Sequence, residues 1–302
     1  MLRSMYAGIS GMKGFQTKLD VVGNNIANVN TTGFKKGRIT FQDMMSQSVA
    51  GAQGPTDIRG GVNASQVGTG SQTGTIDTIQ TQGNRQTTGR TLDLALEGDG
   101  MFVLGEDLDN ALNVNMQDSN IRFTRAGNFY LDNDGYIVNS NGMYLLGNGD
   151  TDNTPDGNLN NDLSRIRLPE TAASFSIQSN GLITYVNEDG NTQDAGQILL
   201  AKFSNPGGLE KTGSSTYQLT ENAGIATFGG PGGDGVLDEM NDLVEPQQGG
   251  AASIVSGALE MSNVDLADEF TEMITAQRGF QANTRIITTS DEILQELVNL
   301  KR

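Results

Sequence analysis

The residues best suited to chemistry in this sequence are acidic. Asp152, Thr154, Asp156 and Gly157 stand at positions one, three, five and six of a calcium-loop pattern. Position twelve is Leu163, where that pattern needs a bidentate Glu; Asp162 comes one residue early, and no helical pattern brackets the stretch. A solvated acidic loop accounts for the same residues. Asp132, Asp134, Glu188 and Asp189 could be drawn as an acid/base pair, yet they fall in hairpin turns, where Asp and Asn serve the backbone. His and Cys are both absent. Their absence removes Cys- and His-based nucleophiles and most zinc, copper and iron sites. No Walker A string is present, and the Gly-rich segments lack the helix-opening context that phosphate loops require. The sequence therefore nominates no catalytic residue, no metal site and no cofactor, and an enzyme is not expected.

The stronger pattern lies in the elements at the two ends. From Ser262 to Arg302, Leu266, Phe270, Met273, Phe280, Ile287, Leu294 and Val298 recur at steps of three and four, with Gln277, Thr284 and Asp291 at the remaining seam positions. Ile274, Ile286, Ile293, Leu297 and Leu300 widen the stripe. Ser262 and Asp265 can cap the start, while Asp268 and Glu269 suit the positive end of the helix dipole. One long helix is expected, with more apolar surface than a single domain needs. Met5, Met12 and Met273 read as seam packing, and Gln277 with Arg278 as polar residues that fix register or face solvent.

The first thirty residues repeat the pattern through Leu2, Met5, Ile9, Met12, Gln16, Leu19, Gly23 and Ile26. Residues 1–47 hold six Lys and Arg against two Asp and Glu, whereas 258–302 hold four against eight. Matching seams of opposite charge predict a discontinuous coiled coil built from both termini. Gly8, Gly11, Gly14 and Gly23 each weaken an isolated helix by about 1 kcal/mol relative to Ala, but allow close helix–helix approach.

Between the ends, 48–74 is rich in Gly, Ser, Gln and Thr and reads as an extended linker. From about 75 to 253 short alternating runs separated by Gly, Asn and Asp turns predict a β-rich domain. Polar inserts occupy 105–120 and 147–164, and Gly229 to Gly235 reads as a flexible loop. The fold class expected is mixed α and β: terminal helices (1–47 and 254–302) carrying a β-rich middle. A net charge of −17 argues against nucleic acid. No apolar run is long enough to span a membrane, and no signal-peptide pattern opens the chain.

The string NNIANVNTTGFK, residues 24–35, resembles the signature of the flagellar rod and hook proteins, the axial family of the bacterial flagellum. Residues 262–297 resemble that family's other end, and GRTLDLALEGDGMF, FTRAGNFYLDNDGYIV and FSNPGGLEKTGSSTYQLT resemble its shared β-domain. The resemblance implies a hook subunit, self-assembling into the tube that joins rod to filament and transmits torque; the alternative within the family is the distal rod. It implies export by the flagellar type III apparatus and a place outside the cell. It also implies contacts with rod, hook cap and hook–filament junction proteins. The assembly interface would comprise the two apolar seams with Asn24, Asn25, Asn28, Gly33 and Phe34. A secreted carbohydrate-active β enzyme is the alternative of another class.

Overall fold

Helix α1, Leu2–Ala27, has no acidic residue in its first turn, whereas α2, Leu266–Leu300, opens on Asp268 and Glu269. The α2 start is capped as its sequence predicts: Asp265 Oδ1 accepts from the Ala267 amide at 2.8 Å. At about 1.5 Å per residue α2 is roughly 50 Å long. The protein, seen in a computed structural model, is described over residues 2–106, 120–149, 163–169, 172–188, 190–224 and 243–300. The calcium-loop pattern up to Asp162, most of both acidic inserts and the loop 229–235 lie outside these residues.

The chain divides into two compact units, residues 1–29, 36–79 and 264–302 forming one, and 30–35 with 80–263 forming the other. In the first, α1 and α2 pack together, and strands β1 (Gly37–Asp43), β2 (Ser46–Ala50), β3 (Ser65–Gly68) and β4 (Ser71–Thr78) make two antiparallel ladders, β1 with β4 and β2 with β3. The stretch read as a linker over 48–74 is therefore paired for much of its length. Composition could not show this, because β2 and β3 are exposed along their whole length and carry no buried alternation. Residues 48–79, read as linker up to 74 and as β-domain from 75, lie with 36–47 in the unit that holds the helices.

The second unit is an antiparallel sheet. Its main path runs through the strands at 174–177, 182–186, 192–198, 144–149, 101–106, 120–124, 216–218 and 210–213. Met101–Leu104 is a continuous apolar run because both faces are covered. Phe102 and Leu104 enter one core cluster with Leu94, Leu145 and Ile198; Met101 and Val103 enter another with Phe123, Leu146 and Tyr217. Edge-on aromatic pairs stand in each, Phe102–Phe129 at 5.3 Å and Phe123–Phe203 at 4.9 Å.

Asp132 and Asp134 lie in a turn, as their sequence context predicts: Asp132 Oδ1 accepts from the Asn133 amide, and Gly135 closes the turn at φ +83°. Leu163, at the position a calcium loop would give to Glu, is a buried strand residue at 4% exposure. The strands are longer than their sequence signals. Residues 105–106 and 147–149, placed in the polar inserts, belong to strands.

Candidate assembly interface

Helices α1 and α2 run antiparallel. A side-chain carbon added at Gly8 would stand 3.4 Å from Ile287, one at Gly11 2.8 Å from Asn283, and one at Gly279 2.6 Å from the Phe15 ring. Further along, Lys18 Nζ meets Glu272 at 3.3 Å. Three of the four glycines in α1 thus give room to a neighbour, Gly14 doing so for Phe41 of β1, while Gly23 has nothing within 4 Å. The helix cost of Gly8, Gly11 and Gly14 is offset inside the subunit.

The seam differs from the expected one by one residue in half its positions. Met5, Met12, Leu19 and Ile26 of α1 and Met273, Phe280, Ile287 and Leu294 of α2 are half-buried, as the period predicts. The alternate rows are set one residue earlier. Gly8, Phe15 and Val22 turn inward in place of Ile9, Gln16 and Gly23; Glu269, Ala276, Asn283 and Ser290 replace Phe270, Gln277, Thr284 and Asp291. Only Glu269, Ala276 and Ser290 of α2 are buried outright. Gly8, Ala276 and Ser290 let the backbones approach closely, and Glu269, hydrogen-bonded to Asn25, takes the inward place of Phe270. Leu266, Phe270, Ile274, Ile286, Ile293, Leu297 and Val298 then face solvent, 41–67% exposed. Ile9 and Gln277 are exposed too, and for Leu2 only its place at the start of α1 is described.

A polar clasp closes the far end of the pair. Asn25, 1% exposed, donates to Glu269 Oε2 at 3.1 Å and to the Gly37 carbonyl, and its Oδ1 accepts from the Gly37 amide, both at 2.9 Å. Lys36 Nζ lies 3.8 Å from the same carboxylate. Asn28 donates to the carbonyl and side-chain oxygens of Asn24, both at 2.9 Å, finishing the helix. Asn25 and Asn28 thus each satisfy a definite backbone group, and Asn24 Oδ1 takes the second bond from Asn28.

Within the second unit, Gly33 takes φ +67°, donates its amide to the Glu260 carbonyl at 2.9 Å, and lies so near Ala126 that a Cβ would come within 2.6 Å of that backbone nitrogen. Phe34 lies beneath Lys211, whose Nζ is 5.0 Å from the ring centre. Lys35 and Glu260, each 1% exposed, form an ion pair at 2.7 Å. Arg125 approaches the other carboxylate oxygen at 3.3 Å and donates to the Gly98 carbonyl at 2.8 Å. The Thr81 carbonyl takes a further bond from Lys35, and the Gly83 amide donates to Glu260. Burial pulls the Lys35 ammonium below its usual range against the opposing pull of Glu260. Burial pushes the Tyr217 phenol up to about 12. The sequence reading missed this cluster; its only local signal was a Lys that follows Gly-Phe within the signature string.

Among the described residues no group of three or more metal-type ligands occurs, and no helix is long and apolar enough to cross a membrane. Three family profiles match: flagella basal body rod protein over residues 5–35, flagellar hook protein FlgE/F/G D1 domain over 95–185, and flagellar basal body rod FlgEFG protein C-terminal over 255–300. Flagellar basal-body rod protein FlgG of Bacillus subtilis is 52% identical over 303 residues, covering all of both chains. The protein of that name from Caulobacter vibrioides is 34% identical over 304 residues, covering 99% of this chain and all of the relative. Flagellar hook protein FlgE of Borreliella burgdorferi is 31% identical over an alignment of 467 residues that covers both chains fully.

Proposed function

The chain belongs to the flagellar basal-body rod and hook protein family, a family of axial structural subunits, and on that premise we propose that it builds the distal rod. The supporting observation is the full-length 52% identity with a rod protein over 303 residues. Length agrees: the rod alignments barely exceed the chain's 302 residues, whereas the hook alignment runs to 467. The hook expectation rested on the polar inserts, and relatives called rod proteins have room for inserts of that size. The favoured reading therefore passes from hook to rod.

In this reading α1 and α2 form a two-helix coiled coil with polar interruptions. The exposed stripe of α2 and the residues Leu2, Ile9, Asn24 and Val298 meet neighbouring copies. Its partners are further copies of itself and adjoining axial proteins, and the chain reaches them through the flagellar export apparatus. Nucleic acid and membrane insertion play no part, and the buried ion pair of Lys35 is structural. An antibody raised against residues 147–164 decides between rod and hook. Labelling in electron micrographs only after the envelope is opened, on the straight segment below the hook, is expected. Labelling of the external curved segment on intact cells would return the assignment to the hook.

A further inference from the structure

The register of the helix pair leaves α2 longer than its partner. With Gly8 opposite Ile287 and Gly11 opposite Asn283, Leu2 stands level with about residue 293, since one helix advances as the other retreats. The last two turns of α2 therefore overhang. Ile293 and Leu297, one turn apart on one face, are each 48% exposed. Glu292 and Glu296 flank them, and 291–300 holds no Lys or Arg.

The same unit carries an apolar groove of about 450 Å³ lined by Tyr6, Ile9, Met44 and Thr69, with Arg3 and Lys13 among its walls and no acidic residue. Tyr6 is 67% exposed. A chain cannot fill its own groove with its own helix end. Helix α2 is continuous and lies along the neighbouring face of α1, that of Gly8, Gly11 and Phe15.

We propose that the overhanging end of α2 from one copy docks in the groove beside α1 of the next copy, with Ile293 and Leu297 on Tyr6 and Ile9 and with Glu292 and Glu296 facing Arg3 and Lys13. The inference rests on the assembly reading above and names the surfaces it uses. Donor and acceptor are different patches of one chain, so the contact is head-to-tail and propagates an open helical array rather than closing a dimer. Opposite charge sets its register and suppresses the reversed pairing.

The absence of Cys permits a direct test. Copies carrying only Ile9→Cys are mixed with copies carrying only Leu297→Cys, assembled, and oxidised. A disulfide-linked mixed dimer is expected. In parallel, Glu292→Lys with Glu296→Lys should lower polymer yield at least tenfold, and Arg3→Glu with Lys13→Glu on the same chain should restore most of it. Polymer at the normal yield with no mixed dimer, or with dimers of Leu297→Cys copies alone, overturns the docking and leaves the assembly reading intact. Failure of the unsubstituted chain to polymerise overturns both.

Discussion

Glu260 holds a cation on each carboxylate oxygen, Lys35 at 2.7 Å and Arg125 at 3.3 Å, in a site where all three side chains are nearly excluded from water. Removing the carboxylate would strand both cations in low dielectric, and breaking a buried pair in this way costs about 3–5 kcal/mol. Glu260→Gln should therefore lower the urea-unfolding free energy of the β-rich unit by that order; a loss below about 1 kcal/mol would show that the cluster is solvated. Tyr217 gives the same unit an alkaline limit. Its folded pKa, about 12, lies above the ordinary value of 10.0, so the folded state keeps a proton that the unfolded state releases. Its contribution is complete below about pH 10 and is lost between 10 and 12, by roughly 2–3 kcal/mol. The depressed Lys35 works in the opposite sense at alkaline pH, so the comparison is with Tyr217→Phe. That variant should lose stability less steeply from pH 10 to 12, and identical slopes would refute the assignment. Neither residue could be read from sequence as special: Lys35 and Glu260 lie 225 positions apart, and one-dimensional charge patterning treats each as solvated.

The helices show where periodicity informs and where it stops. The three-four recurrence located both elements and half of the seam, because Met273, Phe280, Ile287 and Leu294 are apolar at the right spacing. The other half was misphased by one residue. Hydropathy scores Phe270 above Glu269 and Ile9 above Gly8, whereas close packing selects the small or hydrogen-bonded residue. The consequence is a difference in sign between two glycines. Gly23 has open space, so Gly23→Ala should stabilise the subunit by about 0.4–1 kcal/mol through helix propensity. Gly279→Ala drives a methyl to 2.6 Å from the Phe15 ring and should destabilise it by about 1–3 kcal/mol. Thermal unfolding of the two variants measures both; equal shifts would mean that the helices do not pack in this register. Strands β2 and β3 were illegible for a different reason. With every residue exposed, their pairing rests on backbone hydrogen bonds, which no side-chain pattern reports.

At the scale of the whole molecule, the β-rich unit owns two well-filled cores, while the helical unit buries few side chains and exposes a long apolar stripe on α2. A helix pair held by glycine contacts, a half-buried apolar seam, one polar clasp and the Lys18–Glu272 ion pair is marginal by itself. Its ordering should be completed by neighbouring copies, with the entropic cost falling at the moment of assembly. Far-ultraviolet circular dichroism should therefore show helix content rising when the monomer polymerises; a monomer with the polymer's full helix signal would exclude this. The most direct measurement is the structure of the assembled polymer by electron cryomicroscopy. The expected tube has α1 and α2 antiparallel along its inner wall, in the register of Gly8 with Ile287, with Leu266, Phe270, Ile274 and Leu297 covered by adjacent copies. A tube in which these four side chains stay exposed, held together by the β-rich units alone, would contradict it.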